Sequence, residues 1–160
     1  MQTAVNDVDE ESLNVESMIG TSMIESDIEA LMRWPHTNFC TDGALAGAHP
    51  RGFGSYTRVL GRYVRERGVM SLEEAVHKAS GLAADHMGLS DRGRIAPGMW
   101  ADLVAFDTEA VIDRATTDDP QAASLGISHV WVNGELVQSV DGLTDARPGK
   151  VLRRARGAIE

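Results

Sequence analysis

Cysteine, aromatic residues and long apolar runs are all scarce in this sequence. One cysteine, Cys40, stands among the 160 residues, which excludes an internal disulfide and fits a reducing cytoplasm. No run of eighteen apolar residues occurs, so we expect neither a transmembrane helix nor a membrane partner. The opening residues, MQTAVNDVDEES, lack the basic and apolar regions of a signal peptide. Together these absences favour a soluble, cytoplasmic protein.

Basic charge is scarce as well. The 15 Lys and Arg residues stand against 24 Asp and Glu residues, which gives a formal net charge of −9. A nucleic-acid-binding protein needs a basic face, so this balance argues against that class. The basic residues near the end of the chain are expected to form a solvated tail. They are Lys150, Arg153, Arg154 and Arg156.

Histidine is present, but not in a metal-binding pattern. The histidines are His36, His49, His77, His86 and His129. They include neither a His-x-His pair nor a pair four residues apart, and a zinc site requires ligands that converge. From the residues alone we therefore predict no metal site.

The chain divides into two unlike parts after a polar start. Residues 1–12 are predicted to be disordered or adventitious. Residues 13–92 predict helices around one short strand, Thr37–Thr41, which ends at Asp42. Residues 93–160 are richer in strands and turns. A single strand makes no sheet, so the first part cannot bury its apolar faces alone.

Three amphipathic helices are predicted in the first part. Ser22-Met23-Ile24-Glu25 and Ser71-Leu72-Glu73-Glu74 have the capping-box pattern that begins a helix. The first helix should stop before Pro35, and another should run from about Tyr56. The apolar residues at helical spacing are Ile24, Ile28, Leu31 and Met32 in the first helix, Val59, Leu60, Tyr63 and Val64 in the second, and Leu72, Ala75, Val76 and Ala79 in the third.

The second part predicts a strand and a hairpin. Ala101–Phe106 is a compact apolar strand. The runs 130–132 and 135–137 flank Asn133-Gly134, and both of these residues accept the positive φ of a type I′ turn. Such a hairpin with one or two further strands is only part of a sandwich.

The chemistry-bearing residues gather near one loop. Asp42 follows the predicted strand, where many α/β enzymes present a proton-transfer group. The alternative for this aspartate is a turn residue or a cap for the next segment. Arg51 could bind a substrate carboxylate through its guanidinium fork or simply be exposed. Cys40 is expected to be a buried apolar residue, its role as a nucleophile being weakly supported.

Several motifs in one order resemble those of the N-acyl-D-amino-acid deacylases (D-aminoacylases) of the amidohydrolase superfamily. They are Thr-Asp-Gly, His-Pro-Arg, LGRYVRE, SLEEAV, RGRIAPGMWADLVAFD, ISHVWVNGELV and ARPGKVLRR. The resemblance covers roughly residues 13–156. It departs at Ala79-Ser80, where the family usually has Met-Thr, a change that we expect to affect packing and no chemistry.

The resemblance implies a fold and a mechanism. The fold class would be α/β: the C-terminal fragment of a (β/α)8 amidohydrolase barrel, followed by part of a small β-sandwich. Asp42 would end the eighth barrel strand and transfer protons during hydrolysis of an N-acyl-D-amino acid. Arg51 and His49 would bind the substrate, with Ser55 and Tyr56 in the same loop. The family's zinc ligands would lie upstream, outside this chain, so the isolated chain should be inactive.

Three functional hypotheses follow from this resemblance. The leading one is a deacylase C-terminal piece, from a truncated or split reading frame or a sequencing-edge fragment, with an upstream amidohydrolase segment as its partner. The second is a noncatalytic module that completes a larger amidohydrolase subunit. The third is a degenerate remnant without function.

Overall fold

The computed structural model describes residues 23–43 and 49–153, where a group of helices precedes an antiparallel sheet. The helices are α1 (Glu25–Arg33), α2 (Arg51–Arg58) with its continuation as a π-helix (Val59–Glu66), α3 (Leu72–Ala79) and α4 (Gly81–Met87). The strands are β1 (Leu103–Phe106), β2 (Ile127–Val132), β3 (Glu135–Ser139) and β4 (Gly142–Leu143). Helices and sheet together fit the predicted α/β class. The predictions for residues 1–12, Ser22, Arg154 and Arg156 lie outside the described residues.

Helix α1 ends where its sequence predicts but begins without a side-chain cap. Ile24 occupies the N-cap position and makes no capping hydrogen bond. The helix ends at Arg33, before Pro35, because proline has no N–H to continue the hydrogen-bond ladder. Of the predicted apolar stripe, Ile28 and Met32 pack against the core, whereas the other two residues are exposed. None of the described helices is both long and apolar enough to span a bilayer.

The described core lies between α1, the π-helix and α3. Its buried members are Val59, Tyr63, Val69, Met70 and Ala75, with Ile28, Met32, Phe39, Leu60 and Val64 packed against them. The apolar stripe predicted for the second helix is therefore confirmed in full. Burial of such side chains is the main favourable term in folding.

Helix α3 begins as predicted and buries a different face. The Ser71 hydroxyl accepts a hydrogen bond from the Glu74 N–H at 3.1 Å, which confirms this N-cap. Val76 was predicted to point inward, and this is wrong, since 42% of it is exposed. The buried face instead runs through Ala75 and Lys78, three residues apart, and turns Val76 away.

The helix that follows Pro50 joins the two parts of the chain. Its arginines reach alternately to α1 on one flank and to residues 108–113 on the other. The contacts are Arg62–Glu25 at 3.4 Å, Arg67–Glu29, Arg58–Asp113 at 2.9 Å, and Arg65 with the carbonyl oxygens of Thr108 and Val111 at 3.2 and 2.6 Å. The change from α2 to a π-helix widens this segment midway, a feature that often occurs at functional places in proteins.

The predicted strand at residues 37–41 is not a strand in the described structure. These residues have neither helix nor strand hydrogen bonding, and β1 is the first strand among the described residues. Strand formation needs a neighbouring strand to accept its ladder of hydrogen bonds, and the described residues offer none at this point. Residues 37–41 thus lack strand pairing, and Asp42 still follows at the end of the segment.

The sheet is an antiparallel meander in the order β1-β2-β3-β4. The predicted hairpin is confirmed: Asn133 and Gly134 have φ of 49° and 85°, both positive as a type I′ turn requires. The turn is also tied to buried Arg92, which donates to the Asn133 side-chain oxygen at 3.1 Å and contacts Asp102. Ser80, at the departure from the family pattern, donates to the Gly93 carbonyl at 2.8 Å.

Candidate active site

Asp42 lies in a tight backbone turn at the end of the segment that leads from α1. Its φ is 46°, in the left-handed region that aspartate tolerates better than most residues. The next amide, of Gly43, donates to the Thr41 hydroxyl at 3.2 Å. The Asp42 side chain is 77% exposed. This geometry directs a carboxylate outward, and it fits both the catalytic prediction and the turn alternative.

Two glycines bring this turn against the start of α2. A Cβ atom placed on Gly43 would lie 2.6 Å from the Cα of Gly52, closer than real Cβ atoms approach other atoms. The approach of the two backbones therefore requires glycine at position 43. Its consequence is that Asp42 reaches the first residue of α2.

The structure brings together the three residues that the sequence predicted for the site. A guanidinium nitrogen of Arg51 lies 3.1 Å from a carboxylate oxygen of Asp42. The Arg51 amide donates to Nδ1 of His49 at 3.1 Å. Arg51 is the first residue of α2 and not part of a loop, because Pro50 and the residues after it already have helical geometry. This corrects the predicted helix start at Tyr56.

A cavity of about 150 Å³ adjoins this cluster. It is lined by His49, Pro50, Arg51, Gly54, Ser55, Arg58, Asp113 and Ala115. Arg58 and Asp113 form an ion pair at 2.9 Å across its wall, and neither was predicted from the sequence. The two residues are 55 positions apart, so no local spacing could have indicated their contact.

Ser55 and Tyr56 face different ways. Ser55 lines the cavity, and its hydroxyl donates to the Arg51 carbonyl at 2.7 Å. Tyr56 instead donates to the Phe39 carbonyl at 3.2 Å and so contacts the segment that leads to Asp42. Partial burial, with a smaller effect of Cys40, raises the pKa of the Tyr56 hydroxyl and keeps it protonated as a donor.

Cys40 is exposed, so the prediction of a buried apolar residue is wrong. The segment from residue 37 to 43 lies over the helices with Phe39 turned toward the core, and Cys40, the next residue, is turned to solvent. Successive side chains of an extended segment point to opposite sides. Cys40 and Asp42 are both exposed.

Comparison with known proteins places these features in a family. The model of the amidohydrolase family matches residues 21–138. The chain belongs to the amidohydrolase family. It is 55% identical over 135 residues to an N-acyl-D-glutamate deacylase of Alcaligenes xylosoxydans xylosoxydans and 40% identical over 134 residues to a D-aminoacylase of that organism. These alignments cover 83% and 82% of this amidohydrolase chain, and 28% of each relative.

Solved structures agree with this assignment. A D-aminoacylase structure superposes with a TM-score of 0.80 at 40% identity, over 82% of this chain and 28% of that one. An N-acyl-D-glutamate deacylase of Bordetella bronchiseptica superposes with a TM-score of 0.77 at 47% identity, over 83% and 28%. That structure is a complex with zinc and a phosphonate inhibitor that mimics the tetrahedral intermediate. The resemblance to the D-aminoacylases is thus confirmed, and the chain spans about a quarter of its relatives' length.

The described residues do not by themselves fit a zinc ion. Residues 23–43 and 49–153 contain no group of three or more His, Cys, Asp or Glu side chains that could hold a metal. Zinc requires about four converging ligands, three from protein in a catalytic site. A zinc ion such as that of the relatives therefore needs ligands from outside the described residues.

Proposed function

We propose that this chain is the C-terminal portion of a zinc-dependent amidohydrolase that cleaves the amide bond of N-acyl-D-amino acids. The products are a carboxylate and a free D-amino acid. The 55% identity with an N-acyl-D-glutamate deacylase over most of the chain carries this proposal. Under it, residues 13–92 are the end of a (β/α)8 barrel and residues 93–160 are part of a β-sandwich. The ligands for zinc come from an upstream segment, and the protein is cytoplasmic.

Asp42 is the proposed proton-transfer residue. In amide hydrolysis a water oxygen bonds to the carbonyl carbon, the C–N bond breaks, and one water proton moves to the leaving nitrogen. An exposed carboxylate held at a turn can accept that proton and deliver it to the amine. The ion pair with Arg51 supports this role, because Arg51 and His49 line the cavity and the pair holds the Asp42 carboxylate beside that guanidinium.

Arg51 and His49 are the proposed substrate-binding residues. A guanidinium has five N–H donors in a fixed fork, more than its contact with Asp42 uses. It can hold the α-carboxylate of the substrate in the bidentate manner that this geometry favours. His49 accepts a hydrogen bond from the Arg51 backbone N–H, and both residues line the cavity.

Exposed apolar surface fits the noncatalytic alternative as well as the deacylase portion. Large apolar side chains are exposed on α1 and α2, among them Ile24, Leu31 and Phe53. Exposed apolar surface of this kind commonly marks contact with other protein. Both the deacylase portion and a noncatalytic module would use it to pack against an upstream amidohydrolase segment.

Activity of a fusion protein distinguishes the two. The 160-residue chain is joined to the preceding part of the Alcaligenes N-acyl-D-glutamate deacylase, and release of D-glutamate from N-acetyl-D-glutamate is measured with zinc present. We expect activity and bound zinc in the fusion, and neither in the chain alone. A zinc-loaded, folded fusion without activity would support the noncatalytic module, and turnover by the chain alone would contradict the placement of the zinc ligands.

A further inference from the structure

Lys78 is a charged residue in the described core. Only 1% of its surface is exposed. Removing an ammonium group from water is costly unless it is paired and hydrogen-bonded. Lys78 is both, since Glu74, one helical turn earlier, lies 3.2 Å from its nitrogen. The other contacts of this buried lysine indicate its role.

Those contacts are at the end of α1. The Lys78 ammonium donates to the carbonyl oxygens of Met32 and Trp34, the latter at 2.9 Å. The last carbonyls of a helix have no partner within the helix and carry partial negative charge. Lys78, from α3, therefore fixes the point where the chain leaves α1 toward Asp42.

Tyr56 holds the same segment farther along. Its hydroxyl donates to the Phe39 carbonyl at 3.2 Å, three residues before Asp42. Between Trp34 and Gly43 no strand pairing supports the backbone among the described residues. The segment is thus held in place of strand pairing by contacts with Lys78 and Tyr56 and by the packing of Phe39.

The structure assigns a positioning role to Lys78 and Tyr56: Lys78 anchors the segment 34–43 at its start, Tyr56 anchors it at Phe39, and together they set the place of the Asp42 carboxylate. This inference rests on the proposed function, in which the Asp42 carboxylate transfers protons. The anchoring itself is a property of the chain and can be measured without any activity.

Proteolysis of the full 160-residue chain tests the anchoring. Chymotrypsin can cleave after Phe39 only when the segment opens, so the rate reports the open population. We expect Lys78→Met to raise this rate about tenfold, and Tyr56→Phe to raise it about two- to tenfold, as the loss of one hydrogen bond predicts. Cleavage after Trp131, in the hairpin, should stay within about twofold of wild type. Lys150→Met, an exposed lysine, should change neither rate.

Equal acceleration at Phe39 and Trp131 would show general loss of stability and overturn the inference, as would no change at Phe39. Should Lys78→Met fail to fold, Tyr56→Phe, which removes a single hydroxyl, decides the question by the same criterion.

Kinetics of the fusion protein test the consequence for Asp42. We expect Lys78→Met to lower kcat while KM and zinc content stay near wild type. Full kcat in Lys78→Met beside an inactive Asp42→Asn would overturn the positioning role and leave the proposed function intact. An active Asp42→Asn would instead contradict the proposed function, whatever the proteolysis shows.

Discussion

At the scale of single residues, the ion pair of Asp42 and Arg51 is informative through its position. Both side chains are substantially exposed, at 77% and 46%, and exposed ion pairs contribute little to stability. Since the pair adds little to the stability of the fold, we infer that its role lies in the charged groups that it presents to solvent. A carboxylate and a guanidinium side by side can take a proton and bind an anion.

Asp42→Asn tests the proton transfer in the fusion protein. Asparagine preserves the shape and still tolerates a positive φ, but it cannot accept a proton at neutral pH. We expect kcat to fall by about 10² to 10⁴, the usual contribution of a general base. Zinc content, measured by atomic absorption, should stay unchanged. Near-wild-type kcat with full zinc would leave Asp42 as the turn residue of the alternative interpretation.

Arg51→Lys tests substrate binding separately. Lysine keeps the charge but not the planar fork, so bidentate contact with a carboxylate is lost. KM for N-acetyl-D-glutamate should rise more than kcat falls, because uniform binding is weakened. Arg33→Lys, an exposed arginine on α1, is the matched control and should leave both constants unchanged. A loss confined to kcat would argue that Arg51 acts on Asp42 and not on the substrate.

At the scale of elements, the sequence predicted what local interactions determine. The hairpin at Asn133-Gly134 and the cap at Ser71 depend on neighbours within three residues, and both are confirmed. Residues 37–41 failed as a strand because strand pairing depends on distant partners. The first turn of α2 was missed because Gly52 and Gly54 resemble a loop, whereas Gly54 serves close packing: a Cβ there would lie 3.0 Å from the Cβ of Asp113.

The candidate site follows the same division. Asp42, His49 and Arg51 fall within ten residues, so their convergence could be predicted from one loop. Arg58 and Asp113 meet only through the fold, and the burial of Lys78 depends on the end of a separate helix. Periodicity in the sequence cannot reveal such contacts, because the partners lie far apart along the chain.

Gly61→Ala tests the packing of the π-helix. A Cβ at this position would lie 2.5 Å from both the Val111 carbonyl oxygen and the Ile112 side chain. Overpacking of this kind costs about 1–3 kcal/mol, more than the ~1 kcal/mol that alanine gains over glycine in a helix. We expect a lower free energy of unfolding in a urea titration. Gly149→Ala, where a Cβ meets nothing within 4 Å, is the control, and an equal effect at both positions would refute the clash.

At the scale of the whole molecule, surface charge makes stability depend on pH. Hydrogen bonding to Arg67, and less so to Arg33, lowers the pKa of the Glu29 carboxyl below its ordinary 4.5. A carboxyl whose pKa is lower in the folded state stabilises the fold above its unfolded pKa, and this contribution is lost as pH falls. Asp85 beside Arg94 acts in the same direction.

We therefore expect the melting temperature to fall as pH drops below about 4.5, the ordinary value for Glu29. Glu29→Gln should lower the melting temperature at pH 7 and reduce its fall toward pH 3, as followed by circular dichroism. Glu135→Gln, at an exposed strand end, should keep the wild-type pH profile. Identical profiles of melting temperature against pH for wild type and Glu29→Gln would contradict a stabilising role of the Glu29–Arg67 pair.

The arginines in and just after the π-helix make their contacts in a fixed order during biosynthesis. Ribosomes release the chain from its N-terminus, so Arg62 and Arg67 find Glu25 and Glu29 already outside the exit tunnel. Arg65 must wait until Thr108 and Val111 emerge more than forty residues later. The nascent helical part thus stays incomplete until the next part arrives. A premature stop between residues 67 and 107 would release a helical group with one flank still open, and a pause there would expose the same flank on the ribosome; chaperones and proteases act on such chains.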